Sequence, residues 1–307
     1  MLPKDSPFLI AGHAVLDDFI DSKKQTIYRN DLGGGVCYGS LAVKSLGYVP
    51  KVITRVGGDF PTTHLNYMKT FAGVSLEDYV DRYQNTTRYR IDSNDSHRKL
   101  WLLAKCGDLT LEDFARAAEH FQGEALILNP VAGEVSLNVI RQIVGKFKYV
   151  FLDSQGFVRG FQPNTGLVFN TILTDSSALR GVFALKADRE ELFAWTGIND
   201  AKKAIKEILR FAKNLILTSG PGVVELYRKD GRVLRAKPLA IETTDTTGAG
   251  DIMLASFAVR YCETGNLLDS LEFATAASSL ATQKIGVAKA ILSYRDVISQ
   301  IEKVRLR

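Results

Sequence analysis

Short apolar runs punctuated by glycine, asparagine or aspartate recur along the whole chain, with longer segments of mixed polarity between them. Phe8-Leu9-Ile10-Ala11-Gly12 is the first, and its unbroken hydrophobicity predicts a strand buried on both faces. Residues 51–56, 125–128, 149–152, 182–185 and 214–218 repeat the pattern, alternating with helical stretches at 36–47, at 134–146 and from 252 to about 301. Such βα repetition with short connections predicts an α/β fold, a doubly wound and mostly parallel sheet with helices on both faces. Residues 223–228 and 232–237 depart from it as a hairpin, because Asp230-Gly231 supplies the turn. Residues 85–105 depart in another way: 86–91 and 99–104 read as antiparallel neighbours around the turn-rich 92–96. A hairpin inserted into a doubly wound fold is either a lid over a pocket or an edge decoration. Residues 19–32 are a second excursion from the sheet. No repeat, low-complexity tract or linker divides the chain, so residues 1–307 are expected to form a single domain carrying insertions at 19–32 and 85–105.

Composition narrows the classes without naming a function. A chain of 307 residues with 46% hydrophobic residues builds a sizeable core, which excludes disordered and collagen-like readings. The net charge of +5, from 39 basic and 34 acidic residues, suits a small anionic substrate such as a nucleotide. The charges are scattered, so no nucleic-acid partner is expected. Cys37, Cys106 and Cys262 are odd in number and far apart, and with no signal segment they fit a reducing cytoplasm. The apolar runs fall well short of the roughly 20 residues a membrane span needs. His13, His64, His97 and His120 show no ligand spacing, and no structural metal site is expected.

The chemistry is concentrated in Asp245-Thr246-Thr247-Gly248-Ala249-Gly250-Asp251, which opens the apolar helix starting near Ile252. Two glycines permit a sharp turn, and the free N–H groups at a helix start carry the positive end of the macrodipole, so the turn suits a phosphate oxygen. A carboxylate beside such a phosphate has two readings. Asp251 either caps the helix or takes the proton of an attacking hydroxyl while the amides hold the developing charge. Gly33-Gly34-Gly35 strips side chains from another helix entrance, where a ligand can touch the backbone or a loop can simply flex. Asp17 follows the first strand, where ligands of open parallel sheets bind, and is either a ligand to substrate hydroxyls or a surface carboxylate.

These residues resemble the ribokinase-like, or PfkB, carbohydrate and nucleoside kinases over nearly the whole chain. The heptapeptide matches that family's carboxyl-terminal signature, and Gly33-Gly34 through Leu46-Gly47 matches its amino-terminal one. The resemblance implies Asp251 as catalytic base and the backbone of Gly248, Ala249 and Gly250 as anion hole. It implies Asp17, Gly33, Gly34 and Gly35 as substrate contacts, with Tyr38 standing where many sugar kinases carry asparagine. Thr218, Gly220 and Gly222 match the nucleotide-side strand and loop, compressed so that the usual final glycine falls on Val223. Asp188-Arg189-Glu190-Glu191 replaces an Asn-x-x-Glu segment, implying Glu191 and Asp188 as magnesium-side ligands and Asp188 as a nucleotide contact. Arg159, in a segment of altered spacing, is implied as a phosphate neighbour. The implied activity is ATP-dependent, Mg2+-supported phosphorylation of a polyol or sugar, with a myo-inositol-like acceptor favoured. A nucleoside kinase, with Phe157, Phe161 and Tyr38 stacking on a base, and a non-catalytic sensor are the alternatives. A monovalent cation such as K+ and a homodimer through the lid complete the expectations.

Overall fold

Burial on both faces makes the apolar runs strands. In the computed structural model, which describes residues 5–21, 26–72, 79–94, 97–119, 121 and 123–306, the first strand β1 is Asp5–Ala11. Its Phe8 and Ile10 enter one core cluster and its Leu9 and Ala11 the other, as the two-residue period of a strand requires. β1 belongs to an eight-stranded sheet with β4 (Val49–Ile53), β9 (Ala125–Leu128), β10 (Tyr149–Asp153), β13 (Ala184–Asp188), β14 (Asn214–Thr218), β15 (Val224–Arg228) and β16 (Val233–Ala236). The spatial order is β16-β15-β14-β13-β10-β9-β1-β4, parallel except for the terminal β15–β16 hairpin turning at Asp230-Gly231.

Helices cover both faces. Against one pack α1 (Gly35–Ser45), α2 (Thr62–Lys69), α8 (Ala249–Thr264), α9 (Leu267–Ala281) and α10 (Tyr294–Val304). Against the other pack α3 (Leu111–Glu119), α4 (Leu137–Ile143), α5 (Gln155–Val158), α6 (Arg189–Thr196) and α7 (Ala201–Phe211). The sequence places a helix from 134, but α4 starts at Leu137. Glu134 is fully buried, and its carboxylate accepts the main-chain N–H groups of His13, Val131 and Ala132, which holds 131–134 in a turn; Ser136 then caps the helix.

The two insertions are parts of one sheet. β2 (Val15–Asp21), β3 (Thr26–Gly33), β7 (Arg88–Asn94) and β8 (His97–Ala104) run in the order β3-β2-β7-β8, with β2 and β7 parallel and the other pairs antiparallel. The first insertion therefore begins at Val15 rather than at residue 19. This corrects the placement of Asp17: it sits inside β2, opposite Tyr89 of β7, and not at the carboxyl end of the first strand. The expected turn at 92–96 lies partly outside the described residues. Two small pairs, β5 (Val56–Gly57) with β6 (Val80–Asp81) and β11 (Arg159–Phe161) with β12 (Val168–Asn170), complete the strands among the described residues.

Candidate active site

The carboxyl ends of β9, β10, β13 and β14 open into one cavity of about 650 Å³, bounded by the N-terminus of α8 and by the four-stranded sheet. Val15, Asp17, Tyr89, Ile91 and Leu100 of that sheet line one end, and Val224, Pro238, Leu239 and Ile241 line an apolar slot at the other. The heptapeptide lies between them.

Local sequence builds that turn. Asp245 Oδ1 accepts the N–H of Thr247 at 2.8 Å, and Gly248 caps α8 at φ 74°, the left-handed region glycine favours. Glycine is also required sterically, because a β-carbon there would fall 2.5 Å from the Tyr38 ring. Ala249 and Gly250 open the helix, and Asp251 stands in its first turn, buried, with one carboxylate oxygen lacking a hydrogen-bond partner. Burial and the nearby Asp153 push the Asp251 carboxyl up to about 7, against the pull of Lys186 and Arg159.

Gly35 explains part of this burial. A β-carbon at Gly35 would approach Asp251 Oδ1 at 2.5 Å and the Asn129 carbonyl oxygen at 2.7 Å. Gly35→Ala is therefore expected to destabilise the protein by about 1–3 kcal/mol through overpacking. A thermal unfolding midpoint equal to wild type would show that the gap yields without cost.

Three of the neighbouring groups were not among the expected site residues or were given no role. Lys186 and Asp153 are partners in the parallel β10–β13 register, and they form a buried ion pair at 2.8 Å. The Lys186 ammonium comes so close to the turn that a β-carbon at Gly250 would lie 2.5 Å from Nζ. Although burial opposes its charge, Asp153, Glu191 and Asp251 hold Lys186 protonated. Tyr89 is the third: its hydroxyl donates to the Val131 carbonyl at 2.6 Å and its ring lies under the Arg159 guanidinium, 5.7 Å from the centroid. Arg159 also donates to the Val131 carbonyl at 2.9 Å and to Gln155 Oε1 at 2.8 Å.

Asp188 and Glu191, read from the sequence as metal-side carboxylates and not as a cap, form a capping box at the start of α6. Asp188 accepts the N–H of Glu191, and Glu191 Oε2 accepts the N–H of Asp188 at 2.9 Å and the Ser154 hydroxyl at 2.8 Å. Burial raises the Glu191 carboxyl above its ordinary range despite Lys186, so added positive charge is favourable there. Both carboxylates line the cavity, as do Thr218 and Gly220, the latter at φ 57°.

Two expected contacts do not reach the wall. Gly222 turns inward, its N–H donating to the Ser219 carbonyl at 3.0 Å, because the compressed loop closes as a tight turn. Gly33 backs onto Asp17, where a side chain would collide with the carboxylate, so it makes room for Asp17. Gly34, Gly35, Tyr38 and Asp17 do line the cavity. Phe157 packs against Trp195 in the core and Phe161 against the cluster of Val15, Tyr89 and Ile91, and neither is among the residues that line the cavity.

The family model described as pfkB family carbohydrate kinase matches residues 20–293. The bifunctional protein HldE of Azorhizobium caulinodans is 35% identical over 117 residues, which make up 36% of this chain and 24% of that protein. HldE of Halorhodospira halophila is 23% identical over 306 residues, 93% of this chain and 61% of that protein. The chain thus spans less than two thirds of these curated relatives. Among solved structures, fructokinase with bound ATP from Xylella fastidiosa superposes with a TM-score of 0.76 at 18% identity, covering 98% of each chain. A pyrophosphate-dependent kinase in the ribokinase family, complexed with a pyrophosphate analog and myo-inositol, superposes at 0.74 with 22% identity, covering 95% of this chain and 99% of that one. Ribokinase from Arabidopsis thaliana, complexed with ribose and ATP, superposes at 0.75 with 19% identity, covering 97% and 99%. The fold is that of ribokinase, and with the model match spanning most of its length, the chain belongs to the pfkB family of carbohydrate kinases.

Proposed function

We propose that this protein transfers the γ-phosphoryl group of ATP to a hydroxyl of a small polyol or sugar, with a myo-inositol-like acceptor favoured. The observation that carries this reading is the position of Asp251: buried at the waist of one cavity, at the start of α8, between an apolar slot and a pocket roofed by the four-stranded sheet. The slot of Val224, Pro238, Leu239 and Ile241 suits a nucleobase, which favours ATP over pyrophosphate as donor. The N–H groups of Gly248, Ala249 and Gly250 receive the charge of the transferred phosphoryl group, and Lys186 and Arg159 add cations to either side. Asp251 takes the acceptor's proton late, once the bond to phosphorus has acidified it; with its carboxyl near 7 it is substantially ionised at neutral pH. Asp17, Gly34, Gly35 and Tyr38 position the acceptor.

Glu191 and Asp188 fit a magnesium ion held mainly by donor phosphates and water, since both are hard oxygen ligands on the cavity wall and burial makes Glu191 receptive to positive charge. Such an ion supplies neutralisation of the phosphate oxygens when bound. Thr218 and Gly220 flank the donor. The acceptor end offers Asp17 and Arg159 as its charged groups, and of the three aromatics a base could stack on only Tyr38 lines the cavity, which favours a polyol over a nucleoside. The reading extends to a cytoplasmic enzyme paired through the lid, where Tyr28 and Leu103 are exposed.

A coupled ADP-release screen of polyols, sugars, sugar phosphates and nucleosides, with ATP and magnesium, tests the proposal. One hydroxyl acceptor is expected to stand far above the rest in kcat/KM, and replacing ATP with pyrophosphate is expected to lower it. Faster transfer from pyrophosphate would overturn the donor assignment, and no transfer to any acceptor would favour a sensor.

A further inference from the structure

Lysine is almost never fully buried, yet Lys289 is 0% exposed, on the short 3-10 turn Val287–Ala290 between α9 and α10. Its ammonium reaches Asp245, the first residue of the phosphate-binding turn, twice: the main-chain carbonyl at 2.8 Å and the carboxylate Oδ2 at 2.5 Å. The other carboxylate oxygen receives the N–H of Thr247, and the Asp245 N–H donates to the Thr282 carbonyl at 3.0 Å. Asp245 is thereby held from every side, and its carbonyl and carboxylate converge on one point. A carbonyl and a carboxylate oxygen converging on one point are hard oxygen donors of the kind that bind an alkali cation, and an ammonium has similar size and charge.

We propose that Lys289 is a built-in monovalent cation for the phosphate-binding turn, so that a free ion such as K+ is neither bound at Asp245 nor needed for activity. The inference rests on the reading of residues 245–251 as the phosphate site. A tethered ammonium gives up no translational freedom when it binds, and it orients the Asp245 carbonyl, hence the peptide planes that follow it toward Gly248. Stability alone is a poor reason for such a pair, because a buried ion pair is often no better than an apolar packing of the same volume. Burial raises the Asp245 carboxyl, but Lys289 and Thr247 outweigh it and hold the group below its ordinary range, so Asp245 stays ionised through the neutral range.

The test compares wild type, Lys289→Ala and Lys289→Met in choline chloride and in potassium chloride of equal ionic strength, reading thermal midpoint, ATP affinity and turnover with the best acceptor. Wild type is expected to give the same values in both salts. Lys289→Ala is expected to lose about tenfold or more in ATP affinity or kcat/KM in choline and to regain part of it in potassium or ammonium. Lys289→Met fills the space with an apolar chain and is expected to show the loss without the rescue. Activation of wild type by potassium would overturn the proposal, as would an alanine variant with wild-type affinity in choline. If Lys289→Ala does not fold, the wild-type comparison and the methionine variant decide the matter. Wild type that binds no ATP in either salt refutes the kinase reading instead, and the salt dependence of the thermal midpoint still reads the cation proposal.

Discussion

Asp251→Asn is expected to lower phosphoryl transfer by about 10²- to 10⁴-fold, the usual contribution of a positioned general base, while leaving ATP affinity close to wild type. The same substitution is expected to make the protein more stable at neutral and alkaline pH. The carboxyl titrates near 7 in the folded protein and in its ordinary range, near 3.8, in the unfolded chain. Its favourable contribution is therefore complete below about pH 4 and is lost as the pH rises through 7, where a carboxylate must be held buried beside Asp153. Asparagine carries no such charge, so the difference in thermal midpoint between variant and wild type should widen from pH 5 to pH 8 and then level off. A difference that does not change with pH would mean that Asp251 titrates normally, and near-wild-type turnover would remove it from the chemistry. A residue that costs stability where it works is the pattern expected of a functional group.

The second large effect is expected at Lys186. Its ammonium neutralises Asp153 at 2.8 Å and acts on Glu191 and Asp251 as well. Lys186→Met leaves three carboxyl groups in a buried cluster, with Arg159 still acting on Asp251. Removing one member of a buried pair typically costs about 3–5 kcal/mol, because the other charge is left uncompensated. Part of that cost should vanish as the pH falls and the carboxyls take up protons. The transfer rate should drop through two causes, a weaker field at the phosphate turn and a higher Asp251 carboxyl, since Lys186 now holds that group down. The acid limb of the rate profile should accordingly move to higher pH than in wild type. An unmoved limb with a simple loss of stability would make Lys186 a structural residue only.

What was legible in the sequence depended on how local the cause was. The heptapeptide reveals itself because glycine, helix start and carboxylate stand within seven residues, and the strand pattern because burial on both faces writes continuous hydrophobicity. The ion pair of Lys186 and Asp153 is written nowhere locally. It exists because β10 and β13 lie side by side in register, bringing together residues 33 apart. Asp17 was identified but misplaced, since a sequence does not say that a strand has left one sheet for another. Arg159 needed Tyr89 from a different sheet to make its setting visible. Gly222 shows the converse case: a motif position was carried across a compressed loop in which that residue's N–H makes the loop's own hydrogen bond. The capping box at Asp188 and Glu191 is a four-residue pattern and so was written locally, but the reading of both carboxylates as metal ligands passed it over.

The most direct measurement is a crystal structure with magnesium, a non-hydrolysable ATP analogue and the best acceptor from the screen. The account predicts the base in the slot of Val224, Pro238, Leu239 and Ile241, the terminal phosphate against the N–H groups of Gly248–Gly250, and one acceptor hydroxyl within hydrogen-bonding reach of Asp251. A terminal phosphate bound away from that turn, or an acceptor with no hydroxyl near Asp251, would contradict it.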